Sequence, residues 1–306
     1  MQKRSAELVG KLSESIRAKY QDFSPEERTK LFARIYDYFA ETYDRHMGVE
    51  TNHYGAINKL LLYAAPQLRL PLIDITAGTG EPLRCALDII DASTIMGSLR
   101  RVEGGGTITL PTPEEIFLFS NPGEAIPLPL RRLFMTLPEE QRDTATPAHL
   151  VYANEISEKM REKAAQKLEG YQKIKFTNHD ANDLPCHLAG RFRSAMCTQT
   201  LHLVSDEDKI RIIKSMHKVL APGGIALVVE EDPFRISPTA PIERVRLLIS
   251  SIASPIRNRG DLIGLFKANG FERLEDRAVA PIDEHHVMRV YLFKKPCLNK
   301  EDREAT

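Results

Sequence analysis

The sequence predicts an α/β fold in which helices cover both faces of a mostly parallel sheet. Strand and helix signals alternate in three stretches of the chain, at residues 70–91, 150–176 and 192–232. The first stretch has a tight glycine turn between a strand and a helix, and the other two each have a helix between two apolar strands. Such alternation is typical of parallel strands joined by crossover helices.

The composition is that of a globular protein with balanced charge. The 306 residues include 42 Lys and Arg and 42 Asp and Glu, so net charge does not favour nucleic acid or an acidic lipid surface as a partner. Apolar runs such as residues 225–229 are too short to span a membrane, and the first residues lack the apolar core of a signal peptide. We therefore expect a soluble cytoplasmic protein. The cysteines have no paired spacing, so neither a metal site nor disulfides are expected.

Residues 1–66 are predicted to be helical. Ser24-Pro25-Glu26-Glu27 has the spacing of a capping box with proline at the first helical position. Four apolar side chains that follow share one helical face, which we expect to pack on the core: Leu31, Ile35, Tyr38 and Phe39.

The glycine turn at residues 76–80 follows a short apolar strand, residues 72–75, and Pro82 follows it as a residue suited to the start of a helix. The turn departs from the dinucleotide pattern Gly-x-Gly-x-x-Gly, because leucine stands where the third glycine would be. Glu81 would place a negative charge beside a phosphate, and reversing one charge of a pair about 4 Å apart changes the energy by roughly 4 kcal/mol or more. The turn therefore favours a ligand with a cationic amino or sulfonium group.

An insertion rich in Gly and Pro, residues 93–149, separates the first helix from the second strand. Its many large apolar side chains indicate a folded cap or a contact between subunits instead of a linker. Two acids compete for the position that binds a ribose, Glu103 and Glu155. Glu103 precedes three glycines, whereas Glu155 follows an apolar strand and precedes a helix-forming segment. Because a parallel crossover needs that helix, we choose Glu155 and keep Glu103 as the alternative.

Later strands are also predicted to end in polar loops. Strands at 173–176 and 192–197 are followed by the loops 178–181 and 198–203. A helix at about 205–220 and the turn Ala221-Pro222-Gly223-Gly224 lead into an apolar strand that closes on acids. Helices are expected at 241–253 and 262–269, and a last strand at 286–294.

These runs resemble class I S-adenosylmethionine-dependent methyltransferases of the small-molecule and quinone-biosynthesis type. The resemblance rests on Asp74 with Gly78 and Gly80, and on the Pro222-Gly223-Gly224 turn with its following strand. It implies a three-layer α/β/α, Rossmann-like sheet of seven strands with the last one antiparallel. The implied organisation is a helical lid at 1–66, the methyltransferase core at 67–295 with its insertion, and a tail at 296–306.

The resemblance also implies the cofactor S-adenosylmethionine and a set of residues that bind it. Tyr43 belongs to the lid, because a Tyr-Asp pair before the glycine turn is similar to the lid region of that type. Thr76 stands where many members have glycine. The remaining positions follow the strand ends in order, and the full implied set is Tyr43, Asp74, Thr76, Ala77, Gly78, Gly80, Glu81, Glu155, Ile156, Asp180, Ala181, Cys197 and Thr198.

The implied reaction is in-line methyl transfer to a small-molecule acceptor. His202, directly after the fourth strand, is the candidate general base, ahead of His179, His285 and His286. The run after that strand is not Asn-Pro-Pro-Tyr, which argues against methylation of adenine or glutamine amides. An NAD(P)-dependent oxidoreductase of Rossmann topology and a non-catalytic cofactor-binding scaffold are the alternatives.

Overall fold

A mixed sheet forms the centre of the protein. The computed structural model describes residues 22–90, 151–171, 174–232, 259–275, 279–281 and 287–297. The insertion at 93–149, the expected helix at 241–253 and most of the tail lie outside these residues. The described strands are β1 Leu72–Asp74, β2 Val151–Asn154, β3 Ile174–Thr177, β4 Phe192–Thr198, β5 Leu220–Asp232, β6 Glu272–Glu275, β7 Val279–Pro281 and β8 Val287–Lys294.

The strand order is β3-β2-β1-β4-β5-β8-β6, and neighbours from β3 to β5 run parallel. Strand β8 runs antiparallel to β5 on one side and to β6 and β7 on the other, so β6 and β7 form one interrupted edge. The predicted sheet of seven strands with an antiparallel last strand is confirmed. Chain order reverses between β1 and β4, where open α/β sheets usually bind ligands.

Helices cover both faces of the sheet, as predicted. They are α1 Pro25–Arg45, α2 His53–Ala64, α3 at residues 81–90, α4 Glu158–Lys167, α5 Asp206–Val219 and α6 Arg259–Ala268. Successive strand residues enter different cores: Leu72 and Met196 share one cluster with α2 and α3, whereas Ile73 and Ala195 share another with α5 and α6. This alternation follows from the two-residue period of a strand and produces the three layers.

Helix α1 begins as the sequence predicts but presents a different face. Ser24 N–H donates to Glu27 Oε2 at 2.7 Å and Glu27 N–H donates to Ser24 Oγ at 3.3 Å, which forms the capping box. The expectation that Tyr38 packs on the core is wrong, since this residue is 81% exposed. Instead, Phe32 and Tyr36 point from α1 into a pocket.

The glycine turn after α5 lies within the bounds of β5 instead of before it. Leu220 pairs with Phe192 and Ile225 with Ser194, so the residues between them form a bulge in the ladder. Gly223 has a φ of 77°, which favours glycine there.

Candidate active site

A pocket opens at the carboxyl ends of β1, β2 and β4, beside the point where chain order reverses. It encloses about 960 Å³ of empty space, solvent at the mouth included. Its floor consists of residues 75–79, 154–156, 179–182 and 198–200, which follow four neighbouring strands. Helices α1 and α2 supply its outer wall, so the sequence segment predicted as a lid does contribute to the pocket.

The two glycines of the turn have different surroundings. Gly78 has a φ of 55° and lines the pocket, and a Cβ atom placed there would meet nothing within 4 Å. Gly80 has a φ of 81° and lies outside the lining, where a Cβ atom would come within 3.1 Å of the side chains of Ala164 and Leu168. Gly78 therefore leaves room on the pocket side, whereas Gly80 allows the turn to pack closely on α4.

Glu155 joins the glycine turn to the start of α4. Its Oε2 accepts the Gly78 N–H and its Oε1 accepts the Ser157 N–H, both at 2.9 Å. Burial raises the pKa of this carboxyl, and the backbone donors and the nearby Arg161 guanidinium act against that rise. Each oxygen keeps a second acceptor position, so a carboxylate held in this way can also accept ligand hydroxyls. Ile156 lines the pocket beside it, whereas Glu103 lies outside the described residues.

Asp180 and Ala181 line the pocket in the loop after β3. Asp180 Oδ1 accepts the Asn182 N–H at 2.9 Å, and its Oδ2 accepts the Thr29 hydroxyl of α1 at 3.0 Å. Asn154 holds this loop from β2, because its side chain accepts the His179 N–H at 2.9 Å and donates to the His179 carbonyl at 3.0 Å.

The loop after β4 forms the far side of the floor. Thr198 lines the pocket, whereas Cys197 is fully buried and does not. Burial raises the pKa of the Cys197 thiol well above its usual range, so it remains a neutral apolar group. Thr76, at the position of a common glycine, accepts the Thr200 hydroxyl at 2.9 Å and so ties the glycine turn to this loop. Ala77 lines the pocket next to it.

Two predicted acids lie outside the lining. Asp74 is fully buried beneath the turn and accepts the Thr76 N–H at 3.2 Å, and burial raises its pKa to about 7. Glu81 lies 2.6 Å from Arg84 Nη2 and 3.3 Å from Lys167 Nζ. Because these cations compensate its charge, the expectation that Glu81 itself repels a phosphate does not hold in the folded chain.

His202 lies on the short turn Leu201–Leu203, with a carboxylate behind it. Its Nδ1 is 2.6 Å from Glu230 Oε2, and Glu230 Oε1 also accepts the backbone N–H groups of Thr200 and Leu201. This contact favours the tautomer with the proton on Nδ1. Its Nε2 is buried and has no hydrogen-bond partner among the described residues. His202 is not part of the lining, although Thr200 and Leu203 on either side of it are.

Several lining residues were not predicted from the sequence. Tyr43 was predicted to bind the cofactor, but two further aromatic side chains of the outer wall and one amide of the floor were not: Phe32, Tyr54 and Asn154. The aromatic residues lie on helices that are positioned by contacts between residues far apart in the chain, and a local sequence pattern does not reveal such contacts. Asn154 directly precedes Glu155, and an amide at the end of a strand is the signal that points to it.

Comparisons with known proteins agree with this architecture. Residues 140–224 match the family model described as a methyltransferase domain. A search of curated proteins found no match. Within the described ranges, no helix is long and apolar enough to cross a membrane.

Solved structures of methyltransferases share the fold at low sequence identity. A 1,6-didemethyltoxoflavin-N1-methyltransferase of Burkholderia thailandensis, solved with 1,6-didemethyltoxoflavin and S-adenosylhomocysteine, is 14% identical with a TM-score of 0.52, and the match covers 90% of this chain and 91% of that one. A methyltransferase of Thermotoga maritima is 16% identical with a TM-score of 0.51, over 86% of this chain and 98% of that one. The sheet order and these structures show that the chain has the class I methyltransferase fold, and its residues 140–224 are similar to a methyltransferase domain.

Proposed function

We propose that the protein is an S-adenosylmethionine-dependent methyltransferase that acts by in-line transfer on a small-molecule acceptor. The observation that carries this proposal is the buried carboxylate of Glu155, held at the pocket floor by Gly78 and Ser157. An acid in this place accepts hydrogen bonds from the two hydroxyls of a ribose. Asp180 and Ala181, in the next loop of the floor, would contact the adenine.

The charges of the pocket suit a cationic ligand. Its described lining residues include Glu155 and Asp180 but no Lys or Arg. A negatively charged pyrophosphate is repelled by these carboxylates, whereas a sulfonium and an ammonium group are attracted to them. The tyrosines of α1 and α2 add aromatic faces, which attract cations at close range. These features favour S-adenosylmethionine over a nicotinamide dinucleotide.

When bound, the cofactor supplies an electrophilic methyl group, and the chain's task is to hold the acceptor in line with it. The outer wall of α1 and α2 reduces access of water to the reacting groups.

An acceptor hydroxyl or carbon must lose a proton, and His202 remains our candidate base for that step. The Glu230 carboxylate behind its Nδ1 would orient the ring and stabilise the imidazolium that forms. For His202 Nε2 to reach an acceptor, the acceptor must lie against Thr200 and Leu203, the neighbouring residues that face the pocket.

Calorimetry with S-adenosylhomocysteine, NAD and NADP tests the proposal. We expect heat of binding with S-adenosylhomocysteine alone, followed by transfer of labelled methyl to the small-molecule fraction of a cell extract. Binding of NAD without binding of S-adenosylhomocysteine would overturn the proposal in favour of an oxidoreductase. Cofactor binding without any labelled product would favour the scaffold.

A further inference from the structure

Helix α1 carries the dipeptide Tyr-Asp twice, as Tyr36-Asp37 and Tyr43-Asp44. The two copies are separated by about two helical turns, so they lie on the same face of the helix. Both tyrosines line the pocket, and their rings meet edge to face with centroids 6.0 Å apart. The two aspartates have a different task, because each reaches an element of the core.

Asp37 reaches the beginning of α4. Its Oδ1 accepts the Ser157 hydroxyl at 2.6 Å and the Lys159 N–H at 3.1 Å. A carboxylate is stabilised at this position, since free N–H groups and the helix dipole both favour negative charge there. Ser157 also donates its own N–H to Glu155 at 2.9 Å. A continuous chain of contacts therefore runs from Asp37 through Ser157 to Glu155.

Asp44 reaches the glycine turn and α2. Its Oδ1 accepts the Tyr54 hydroxyl at 2.8 Å and also the Thr79 hydroxyl, while its Oδ2 accepts Lys167 Nζ at 2.9 Å. Burial acts to raise the pKa of Asp44, but the Lys167 ammonium and the donated hydrogen bonds outweigh it and lower the pKa. Asp44 is therefore ionised at neutral pH. Tyr54 and Thr79, which it holds, both line the pocket.

We propose that Asp37 and Asp44 are positioning residues that clamp α1 over the cofactor pocket at two points. They hold the wall formed by Tyr36 and Tyr43 in place, and they fix from outside the two elements that contact the cofactor, Glu155 and the glycine turn. The proposal rests on the proposed cofactor. In this proposal both aspartates contribute to cofactor affinity without contacting the ligand.

The test is calorimetry of the full chain with S-adenosylhomocysteine and with adenosine. Asp37→Ala should weaken both ligands about tenfold, because the contact chain ends on the acid that holds the ribose. Asp37→Asn retains an acceptor oxygen for Ser157 and Lys159 and should recover most of the affinity. Asp44→Ala should weaken S-adenosylhomocysteine by a similar factor.

Glu41 provides the matched control. It lies on α1 between the two aspartates and pairs with Lys163 of α4 at 3.1 Å, but its side chain is 76% exposed and it does not line the pocket. We expect Glu41→Ala to bind both ligands within twofold of the wild type.

Four outcomes would overturn the clamp. Aspartate variants that bind within twofold of the wild type would remove it while leaving the proposed function intact. A loss of affinity in Glu41→Ala equal to that of the aspartate variants would show that the effect is not specific to the two aspartates. A loss of affinity confined to samples that are partly unfolded at the assay temperature would show that the aspartates act only through the stability of the whole chain. Failure of the wild type to bind S-adenosylhomocysteine would remove the proposed function and the clamp together.

Discussion

Glu155→Ala probes the residue on which the cofactor assignment depends. The alanine removes the proposed acceptor of two ribose hydroxyls, and a hydrogen bond to a charged group contributes on the order of 1.5–3 kcal/mol. Since about 1.4 kcal/mol corresponds to a factor of ten, losing one such bond weakens the affinity for S-adenosylhomocysteine roughly 10- to 100-fold, and losing both should weaken it at least that much.

The structure adds a cost in stability. The position of Glu155 after a strand, taken alone, predicts little packing and no loss of stability on its removal. It accepts the N–H groups of Gly78 and Ser157, and alanine leaves both donors without this partner. An unsatisfied buried donor costs about 1–3 kcal/mol, and each kcal/mol lowers the melting temperature of a chain this large by about 2–4 °C. Glu155→Ala should therefore melt several degrees below the wild type.

Calorimetry and thermal unfolding, run on the same samples, separate the two effects. Glu158→Ala is the control, because this exposed acid lies in the first turn of α4 and does not line the pocket. It should bind normally. An unchanged affinity in Glu155→Ala with a lost affinity in Glu103→Ala would refute the reasoning, because the ribose acid would then lie in the insertion.

Four further variants test other parts of the structure. Burial raises the pKa of Asp74 to about 7 from an ordinary value near 4, so the folded state favours its protonated form and the contribution of Asp74 to stability falls as pH rises from about 4 to 7. Asp74→Asn should remove this part of the pH dependence of the melting temperature. An equal pH dependence in the variant and the wild type would contradict the expectation. Arg28→Met leaves the Asp208 carboxylate buried without its bidentate partner and should lower the free energy of unfolding by roughly 3–5 kcal/mol, measured in urea, whereas a loss below about 1 kcal/mol would show that water compensates. His202→Gln should slow methyl transfer to a hydroxyl or carbon acceptor without changing cofactor affinity, and Glu230→Gln should slow the transfer less. Unchanged transfer rates in both variants would exclude His202 as the base.

The sequence was sufficient for the order of elements because strand and helix periods are local signals. It also placed the floor of the pocket, since loops that follow neighbouring parallel strands must meet at one edge of the sheet. It did not settle which of two adjacent residues faces that edge. Cys197 and Thr198 were both predicted to bind the cofactor, yet only Thr198 lines the pocket, because successive strand residues point to opposite faces.

The wall formed by α1 could not be predicted at the same level. Apolar and aromatic residues occur on more than one side of this helix, so the pattern left its orientation undecided and Tyr38 was assigned to the wrong side. The orientation is set by contacts between distant parts of the chain. Asp37 meets Ser157 across 120 positions, and Arg28 meets Asp208 across 180. Such pairs become visible only when the sheet has brought their elements together.

A cationic ligand is expected from both the sequence and the structure, but different residues carry that expectation in each. The sequence argument relied on Glu81, whose charge Arg84 and Lys167 compensate in the folded chain. Glu155 and Asp180 take its place, because they face the pocket and their hydrogen bonds come from backbone amides and a hydroxyl instead of cations. The nearby Arg161 guanidinium acts to lower the pKa of Glu155, but no ion pair holds either carboxylate within the part of the chain that the structure describes. A preference for a cation then depends on Glu155 and Asp180 and not on Glu81, so it should persist in Glu81→Gln.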